Sequence, residues 1–469
     1  MKKLLTHTLI YTVSPQIPLL INFILLPFLT PYLSPRDYGI YGIILAYIGA
    51  ISGLKDLGFL TVISGSFYKY QNRYRFIWDR ILGFLTIWTI IISVFTGILL
   101  FYCIPEGAIQ NTFYIIPLIC IPIAFTDNIV MFGGRYFQLS KKPIIVVTTS
   151  ISISIVVIAI NFYCIKILHL GYMAWFISLF SSQILNGIIY LFLMKKYRIA
   201  YPSYNFSFRW IRRQLKISLP TLPHFYSSYL TDFSDKVTLN FYKVDIRTIG
   251  IYDLGNTFGR YFNVMNSAYG IAGGAQYLEL YSKNTIESEK EARSNTYVIQ
   301  FIFVSLGFIL SIWIKEVFRF LIKNEDLQSA YAITAVIIMS FATRIFYYPV
   351  ANKLITIRAT NQLWKISFIG GIIKIGIDIF FIPIIGIWAC VVSNFIAGLY
   401  TTFFGFTLNV FKRNTQINYY PLYALLGIIL ISLISFLLKD IDIDLKLFLT
   451  LLFLSAILFF LIKFNKHLH

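Results

Sequence analysis

Long apolar stretches of about twenty residues or more follow one another along the chain, separated by short polar connections. A helix needs about 20 apolar residues to cross the hydrocarbon core of a bilayer. The pattern therefore predicts about fourteen transmembrane helices and an all-α integral membrane protein. Their approximate bounds are 9–32, 39–63, 81–104, 112–134, 144–165, 170–194, 217–242, 249–278, 296–314, 329–351, 366–384, 386–409, 420–438 and 447–463.

Proline and glycine recur in the same order in the two halves of the chain. The corresponding patterns are Pro15-x-x-Pro18 with Pro220-x-x-Pro223, Gly39-Ile40-Tyr41 with Gly250-Ile251-Tyr252, and Leu170-Gly171-x-x-Ala174 with Ile385-Gly386-x-x-Ala389. Chance recurrence at helix starts is one interpretation. The other, which we adopt, is a duplicated six-helix unit followed by an extra pair of helices.

This interpretation predicts two six-helix bundles related by a pseudo-two-fold axis, with a substrate site between them. We expect an N-terminal lobe at 1–195, a basic cytoplasmic linker at 196–216, a C-terminal lobe at 217–410 and a C-terminal helix pair at 411–469. Proline weakens a helix locally, so Pro15, Pro18, Pro220 and Pro223 are candidate hinge residues. The stretch 366–409 is too long for one span, and we divide it at Pro383.

Composition excludes several classes of protein. Hydrophobic residues make up 58% of the chain and charged residues 13%, with a mean hydropathy of +0.73, whereas soluble domains carry about 25% charged residues. No polar stretch is long enough to form a catalytic domain, so we expect no enzyme. The cysteines and histidines show no ligand spacing, and we expect neither a metal nor a cofactor.

The net charge of +20 comes largely from Lys and Arg in alternate short connections. This alternation predicts that both termini are cytoplasmic. Basic residues beside a membrane set the topology and contact anionic lipid, so we do not expect nucleic-acid binding.

Eleven charged residues fall inside the predicted spans, where each unpaired charge costs about 2.5–3.5 kcal/mol. They must therefore face one another or water. Helical spacing predicts the pairs Asp232–Lys236 and Lys374–Asp378. The eighth span also carries a polar stripe that includes Asn256 and Asn263. The eleven residues are Lys55, Asp56, Asp127, Asp232, Asp235, Lys236, Asp253, Arg260, Arg344, Lys374 and Asp378.

Two interpretations of these charges stay open: structural salt bridges, or the lining of a hydrated cavity. Arginine can grip a diphosphate bidentately, which favours a cavity for an anionic headgroup. The candidate substrate-binding residues are Lys55, Lys236, Asn256, Arg260, Asn263, Arg344 and Lys374. The candidate ion-coupling residues are Asp127, Asp232, Asp235 and Asp378.

Several short motifs spread along the chain carry a resemblance. They are Leu33-Ser34-Pro35-Arg36-Asp37-Tyr38-Gly39-Ile40-Tyr41, Leu54-Lys55-Asp56-Leu57-Gly58, Leu219-Pro220 leading to Asp235-Lys236, Ile249-Gly250-Ile251-Tyr252, and Ile382-Pro383-Ile384-Ile385-Gly386-Ile387-Trp388-Ala389. With these motifs the chain resembles the polysaccharide flippases of the multidrug/oligosaccharidyl-lipid/polysaccharide exporter superfamily, which include O-antigen, capsule and lipopolysaccharide repeat-unit translocases.

The resemblance implies two lobes in a V shape that alternate between inward-open and outward-open states. It implies an undecaprenyl-diphosphate-linked oligosaccharide as cargo, antiport of H⁺ or Na⁺, and the bacterial cytoplasmic (inner) membrane as location. A polysaccharide polymerase and a chain-length regulator would be partners, besides membrane lipids.

Two other functions stay open. Drug or ion antiporters of the same fold typically carry an acid in the first helix, where this chain has only Ser14, Gln16 and Asn22 as polar residues. The arginines that peptidoglycan-precursor flippases place in this helix are also missing. A membrane-embedded polymerase or glycosyltransferase is the other alternative, because Asp440-x-Asp442-x-Asp444 resembles a metal-binding acidic motif.

Overall fold

The computed structural model describes residues 17–70 and 73–466, and within them the fold is helical with no strand. The predicted all-α class is confirmed. The helices are α1 (Ile17–Leu29), α2 (Pro35–Asp56), α3 (Phe59–Lys69), α4 (Tyr74–Cys103), α5 (Thr112–Phe125), α6 (Asp127–Leu139), α7 (Pro143–Phe162), α8 (Met173–Tyr197), α9 (Phe208–Ser218), α10 (Leu222–Asp232), α11 (Ser234–Phe241), α12 (Ile246–Ser282), α13 (Ile286–Leu321), α14 (Glu325–Gln328), α15 (Tyr331–Ala342), α16 (Tyr347–Thr356), α17 (Leu363–Ile385), α18 (Ile387–Phe403), α19 (Asn409–Arg413), α20 (Pro421–Leu438) and α21 (Ile443–Lys466).

Ten helical segments in the described part of the chain are long and apolar enough to cross a membrane. All fourteen predicted spans overlap helix, but the helices of four spans are not among the ten: α1 of the first, α10 to α12 of the seventh and eighth, and α21 of the fourteenth. Helices α10 to α12 carry Asp232, Asp235, Lys236 and Asp253. The protein is a multi-pass membrane protein, and its fourteen crossings stay a prediction.

The exterior of the protein is apolar. Phe113 is 79% exposed, Phe380 75% and Tyr423 74%, while charged side chains such as Lys374 and Asp235 are fully buried. This is the reverse of a soluble protein, in which such charges are almost never buried unless paired. Lipid is the solvent that this surface requires.

Several spans that hydropathy predicts as continuous are broken in the structure. Between α2 and α3, Leu57 and Gly58 both have positive φ, 48° and 71°. A Cβ on Gly58 would lie 2.5 Å from the carbonyl oxygen of Ser218, so only glycine fits here. Further breaks fall at Thr126 and at Phe233. One or two interrupting residues scarcely change a hydropathy average, and this is why the pattern misses them.

The predicted division near Pro383 is confirmed, because α17 ends at Ile385 and α18 begins at Ile387. The residue between them, Gly386, has φ 58°, and Gly171 in the matching pattern of the first half has φ 52°. Each pattern thus forms a left-handed turn at its glycine.

The start of α2 is fixed by a reciprocal cap. The Ser34 side chain accepts a hydrogen bond from the Asp37 backbone N–H, and the Asp37 carboxylate accepts one from Ser34 N at 2.8 Å. Asp37 Oδ1 also accepts a hydrogen bond from the backbone N–H of Tyr172 at 2.9 Å. A capping box satisfies N–H groups that a helix start leaves unpaired. The Ser34–Asp37 motif therefore joins two loops of the protein.

The chain divides into two compact units, Met1–Tyr229 (unit 1) and Leu230–His469 (unit 2). The core of unit 1 surrounds the fully buried Trp78, whose Nε1 donates to the carbonyl of Ile63 at 3.2 Å. The segment after α8 packs on the same unit, since Tyr201 N donates to Asp79 Oδ1 at 2.7 Å.

In unit 2, the C-terminal helices α20 and α21 pack against α13. Phe308 stacks on Phe453 with ring centroids 4.5 Å apart, and Trp313 Nε1 donates to Thr450 Oγ1 at 2.8 Å. A fully buried ion pair, Lys353–Glu289 at 2.6 Å, holds the loop that precedes α20.

Candidate functional site

A small cleft lined by both polar and apolar residues lies within unit 2. The free space inside it is about 20 Å³, room for about one water molecule. Three residues predicted from the sequence, Asp232, Asn256 and Arg344, come together here. The lining residues are Thr231, Asp232, Asn256, Ile337, Ser340, Phe341, Arg344, Asn394, Ala397, Gly398 and Thr401.

Arg344 supplies the positive charge of the cleft. It lies in a 3₁₀ turn, Arg344–Phe346, between α15 and α16. Its Nη1 donates to Asn263 Oδ1 at 3.2 Å, and its guanidinium carbon lies 5.5 Å from the centroid of the Phe341 ring. Among the described residues no carboxylate lies within ion-pair distance of it. A guanidinium has five N–H donors in a fixed fork, so most of its donors stay available.

Arg260 is the second candidate arginine, and it lies on α12 with Asn256 and Asn263. Its Nη2 donates to Thr257 Oγ1 at 2.6 Å. Arg260 does not line the cleft. Of the two arginines, the structure places Arg344 where a ligand in the cleft would contact it.

Below the cleft wall, unit 2 contains a buried charge cluster, which we define as Asp235, Lys236, Asp253, Lys374 and Asp378. Lys374 Nζ lies 2.9 Å from Asp235 Oδ2, and neither side chain is exposed. Lys236 forms an ion pair with Asp253. A buried charge is tolerated only beside an opposite charge, and both lysines have such a partner.

The predicted Asp232–Lys236 pair is wrong. The helix breaks at Phe233, between α10 and α11, and the break removes the helical register that would place residues four apart side by side. Asp232 faces the cleft instead, while Lys236 pairs with Asp253 on α12.

The predicted Lys374–Asp378 pair does not form either, because Lys374 reaches across to Asp235. Asp378 Oδ1 accepts a hydrogen bond from Ser393 Oγ at 2.5 Å. Its other oxygen, Oδ2, has no hydrogen-bond partner among the described residues, although it is buried. An unsatisfied buried carboxylate oxygen is costly, and a proton or a cation would satisfy it.

Unit 1 carries a separate ion pair, Lys55–Asp127, at 2.6 Å. Lys55 lies in the last turn of α2 and Asp127 is the first residue of α6. Each residue therefore borders a helix break. Opposite charges at these positions complement the helix dipoles.

The candidate hinge prolines lie near helix starts or outside the described residues. Pro15 is outside them, and Pro18 is in α1. Pro220 is in the 3₁₀ turn before α10, and Pro223 is the second residue of α10. A missing N–H costs little at a helix start. The break in this region falls ten residues further on, at Phe233.

Asp440 of the acidic motif pairs with lysine side chains of the same protein. Asp440 Oδ1 accepts hydrogen bonds from Lys315 Nζ at 2.6 Å and Tyr331 OH at 3.0 Å. Partial burial raises the pKa of Asp440, but these hydrogen bonds and Lys439 lower it further, to about 2. The side chain is thus a structural ion-pair partner.

Sequence reasoning missed Tyr252, Ser393 and Asn394 as site residues. Asn394 lines the cleft and donates from Nδ2 to the Tyr252 hydroxyl at 2.7 Å. The adjacent polar residues Ser393 and Asn394 in the otherwise apolar α18 are the signal that could have found them.

Several solved membrane transporters share the fold of this chain. An inward-facing multidrug resistance MATE family transporter of the MOP superfamily has a TM-score of 0.65 at 11% identity, covering 87% of this chain and 99% of that one. An outward-facing multidrug resistance MATE family transporter has a TM-score of 0.56 at 12% identity, covering 89% of this chain and 97% of that one. A MOP superfamily transporter from Pyrococcus furiosus has a TM-score of 0.52 at 11% identity, covering 89% of this chain and 97% of that one.

The sequence pattern of the polysaccharide biosynthesis protein family matches residues 4–271. The chain belongs to this family. No curated protein sequence matches it significantly. The fold is shared with solved transporters of the MOP superfamily, and the predicted non-enzymatic class is confirmed.

Proposed function

We propose that this protein moves an undecaprenyl-diphosphate-linked oligosaccharide repeat unit, of the O-antigen or capsule kind, across the bacterial cytoplasmic membrane by alternating access. Both termini would be cytoplasmic, and the unit would be delivered outside to a polymerase and chain-length regulator. The observation that carries the proposal is Arg344, a guanidinium without a carboxylate partner at a polar cleft.

The cleft has the chemistry that such a headgroup needs. Sugar hydroxyls and a diphosphate would lose their hydrogen bonds in hydrocarbon. Arg344 could take a phosphate bidentately, while Asn256 and Ser340 offer donors and acceptors to hydroxyls. The family's connection with polysaccharide biosynthesis supports a sugar cargo.

Asp232 is the one acidic residue of the cleft wall. It would repel a diphosphate placed beside it, so the phosphates should lie at the Arg344 side and the sugar at the Asp232 side. Carboxylates are good acceptors for sugar hydroxyls.

We also propose that Asp378 is the group at which H⁺ or Na⁺ couples to transport. Its Oδ2 has no N–H or O–H donor among the described residues, the Cys390 thiol lies beside the carboxyl, and Asp378 shares the cluster with Asp235 and Lys374. The Lys374 ammonium neutralises one of these two carboxylates, and a transported cation would neutralise the other.

The function is tested in a strain that lacks the gene and carries it on a plasmid. Arg344→Ala should lower surface polysaccharide at least about tenfold, because a hydrogen bond to a charged group contributes about 1.5–3 kcal/mol. Lipid-linked repeat units should accumulate on the cytoplasmic leaflet. Arg413→Ala, at the exposed end of α19, is the matched control and should restore full polymer.

The same strains separate the alternatives. Full polymer in Arg344→Ala, with protein levels unchanged, would contradict the role of the cleft. Unpolymerised units on the outer leaflet of the deletion strain would favour a polymerase. Unchanged polysaccharide with new sensitivity to cationic drugs would favour a drug antiporter.

A further inference from the structure

Two neighbouring residues of α18 connect the cleft with the charge cluster. Asn394 lines the cleft, while Ser393 holds Asp378 Oδ1 at 2.5 Å. The two side chains belong to consecutive residues of one helix, so a shift of this helix would move both contacts together.

A continuous chain of hydrogen bonds runs from the cleft to the cluster. Asn394 Nδ2 donates to the Tyr252 hydroxyl at 2.7 Å. The hydroxyl donates in turn to Asp235 Oδ2, the same oxygen that Lys374 Nζ approaches at 2.9 Å. Tyr252 is fully buried and does not line the cleft. Its polar role is therefore to join Asn394 to Asp235.

Lys374 provides a second connection. Besides Asp235, its ammonium donates to the backbone carbonyl of Thr231, a residue of the cleft wall. Carbonyls in the last turn of a helix lack an intrahelical partner, and the break at Phe233 makes Thr231 such a residue. Lys374 thus spans from the cleft wall to the carboxylate.

We propose that Asn394 and Tyr252 form a path that couples occupancy of the cleft to the charge state of Asp235. The identity of the ligand rests on the proposed function, whereas the path itself does not. The groups that interact with the Asp235 carboxyl are Lys236, Tyr252 and Lys374.

The direction of the coupling between the cleft and the carboxyl follows from which groups donate the hydrogen bonds. An anion in the cleft competes for the N–H that Asn394 gives to Tyr252. Hydrogen bonds in a chain strengthen one another, so losing this donor weakens the bond from Tyr252 to Asp235. An anion in the cleft therefore favours the neutral form of the Asp235 carboxyl. By reciprocity, a neutral Asp235 favours binding of the anion.

The first test measures the binding of geranylgeranyl diphosphate to purified protein in nanodiscs. Asp235→Asn mimics the neutral carboxyl and should tighten binding at least about fivefold, the lower end of typical couplings between sites. In a Tyr252→Phe background the same substitution should change the dissociation constant less than about twofold. Tyr252→Phe keeps the buried ring and removes only the hydroxyl. An equal shift in both backgrounds would overturn the path.

The second test needs no ligand and measures melting temperatures by a double-mutant cycle. Asn394→Ala and Asp235→Asn should be non-additive by a few degrees, because residues of one hydrogen-bond network are coupled. In the Tyr252→Phe background they should add. Thr401→Ala is the matched control, since Thr401 lines the cleft but donates to Gly398; it should add with Asp235→Asn in either background.

The outcomes of the two tests distinguish an error in the proposed cargo from an error in the proposed path. If the diphosphate does not bind but the cycle is non-additive, the cargo is wrong and the path stands. If Asn394→Ala and Asp235→Asn add in the wild-type background, the path is wrong whatever the cargo.

Discussion

The two units hold the same kind of ion pair in different surroundings. In unit 1, Lys55 and Asp127 are 2.6 Å apart, with side chains 23% and 16% exposed. In unit 2, Lys374 and Asp235 are 2.9 Å apart, and both side chains are 0% exposed. Similar distances therefore conceal different energetics, because water can replace a lost partner in unit 1 but not in unit 2.

The helices that the predicted repeat would make equivalent differ in the same way. α17 carries Lys374 and Asp378, whereas α7, in the fifth predicted span, has no charged residue. Matching glycine turns at Gly171 and Gly386 persist in both halves. The two halves therefore share the local glycine turns, whereas the buried charged residues are concentrated in unit 2.

The largest expected effect is the loss of stability when the lysine of either ion pair is replaced by alanine. Lys374→Ala leaves Asp235 buried without its ammonium and should destabilise the protein by about 3–5 kcal/mol. Lys55→Ala should cost no more than about 1 kcal/mol. Thermal unfolding in detergent measures both. Adding Asp235→Asn to Lys374→Ala should recover part of the loss, and equal losses for the two lysines would break the comparison.

A smaller difference is expected between the two glycine turns. A Cβ on Gly171 would lie 2.4 Å from Asp37 Oδ1, whereas one on Gly386 meets no atom within 4 Å. Gly386 has φ 58° and ψ −136°, a conformation nearly restricted to glycine, so Gly386→Ala should cost about 1–3 kcal/mol from backbone strain alone. Gly171→Ala should cost about 1 kcal/mol more, because Asp37 must release the Tyr172 N–H. The same unfolding assay checks the order, and a reversed order would contradict it.

The smallest effect concerns pH and Asp440 of unit 2. Its pKa is lowered to about 2 in the folded protein, by Lys315 and Tyr331 against the effect of partial burial. The stabilisation is therefore present above the ordinary carboxyl pKa and is lost as the pH falls toward 2. Asp440→Asn should cost about 1 kcal/mol or less at neutral pH and should flatten the acid side of the stability profile. An unchanged profile would show that the pair contributes nothing.

The sequence predicts which charged residues are embedded in the helices better than it predicts which of them form ion pairs. The polar stripe on the eighth span places Asn256 and Asn263 correctly on one helix, and the set of embedded charges contains the whole cluster. The pairs are wrong because helical spacing considers only neighbours on one continuous helix. The break at Phe233 ends that continuity, and the partner of Lys374 lies 139 residues away.

The path through Tyr252 and Asn394 could not be predicted from the pattern. Tyr252 belongs to a short motif in which tyrosine is typical of an interfacial or packing residue. Its contact with Asp235 depends on how α11, α12 and α18 pack. The glycine turn at Gly386, by contrast, is a local feature, so residue order alone is enough to place it.

The pairing of Lys374 with Asp235 has a consequence for biogenesis. The ribosome delivers α11 long before α17, so Asp235 enters the membrane well ahead of its ammonium. During that interval α10 to α12 cannot settle as independent apolar helices and must wait beside the translocon or one another. Unit 2 therefore matures as one cooperative body after α17 emerges, and a nascent chain stopped before residue 363 should be a substrate for membrane quality control.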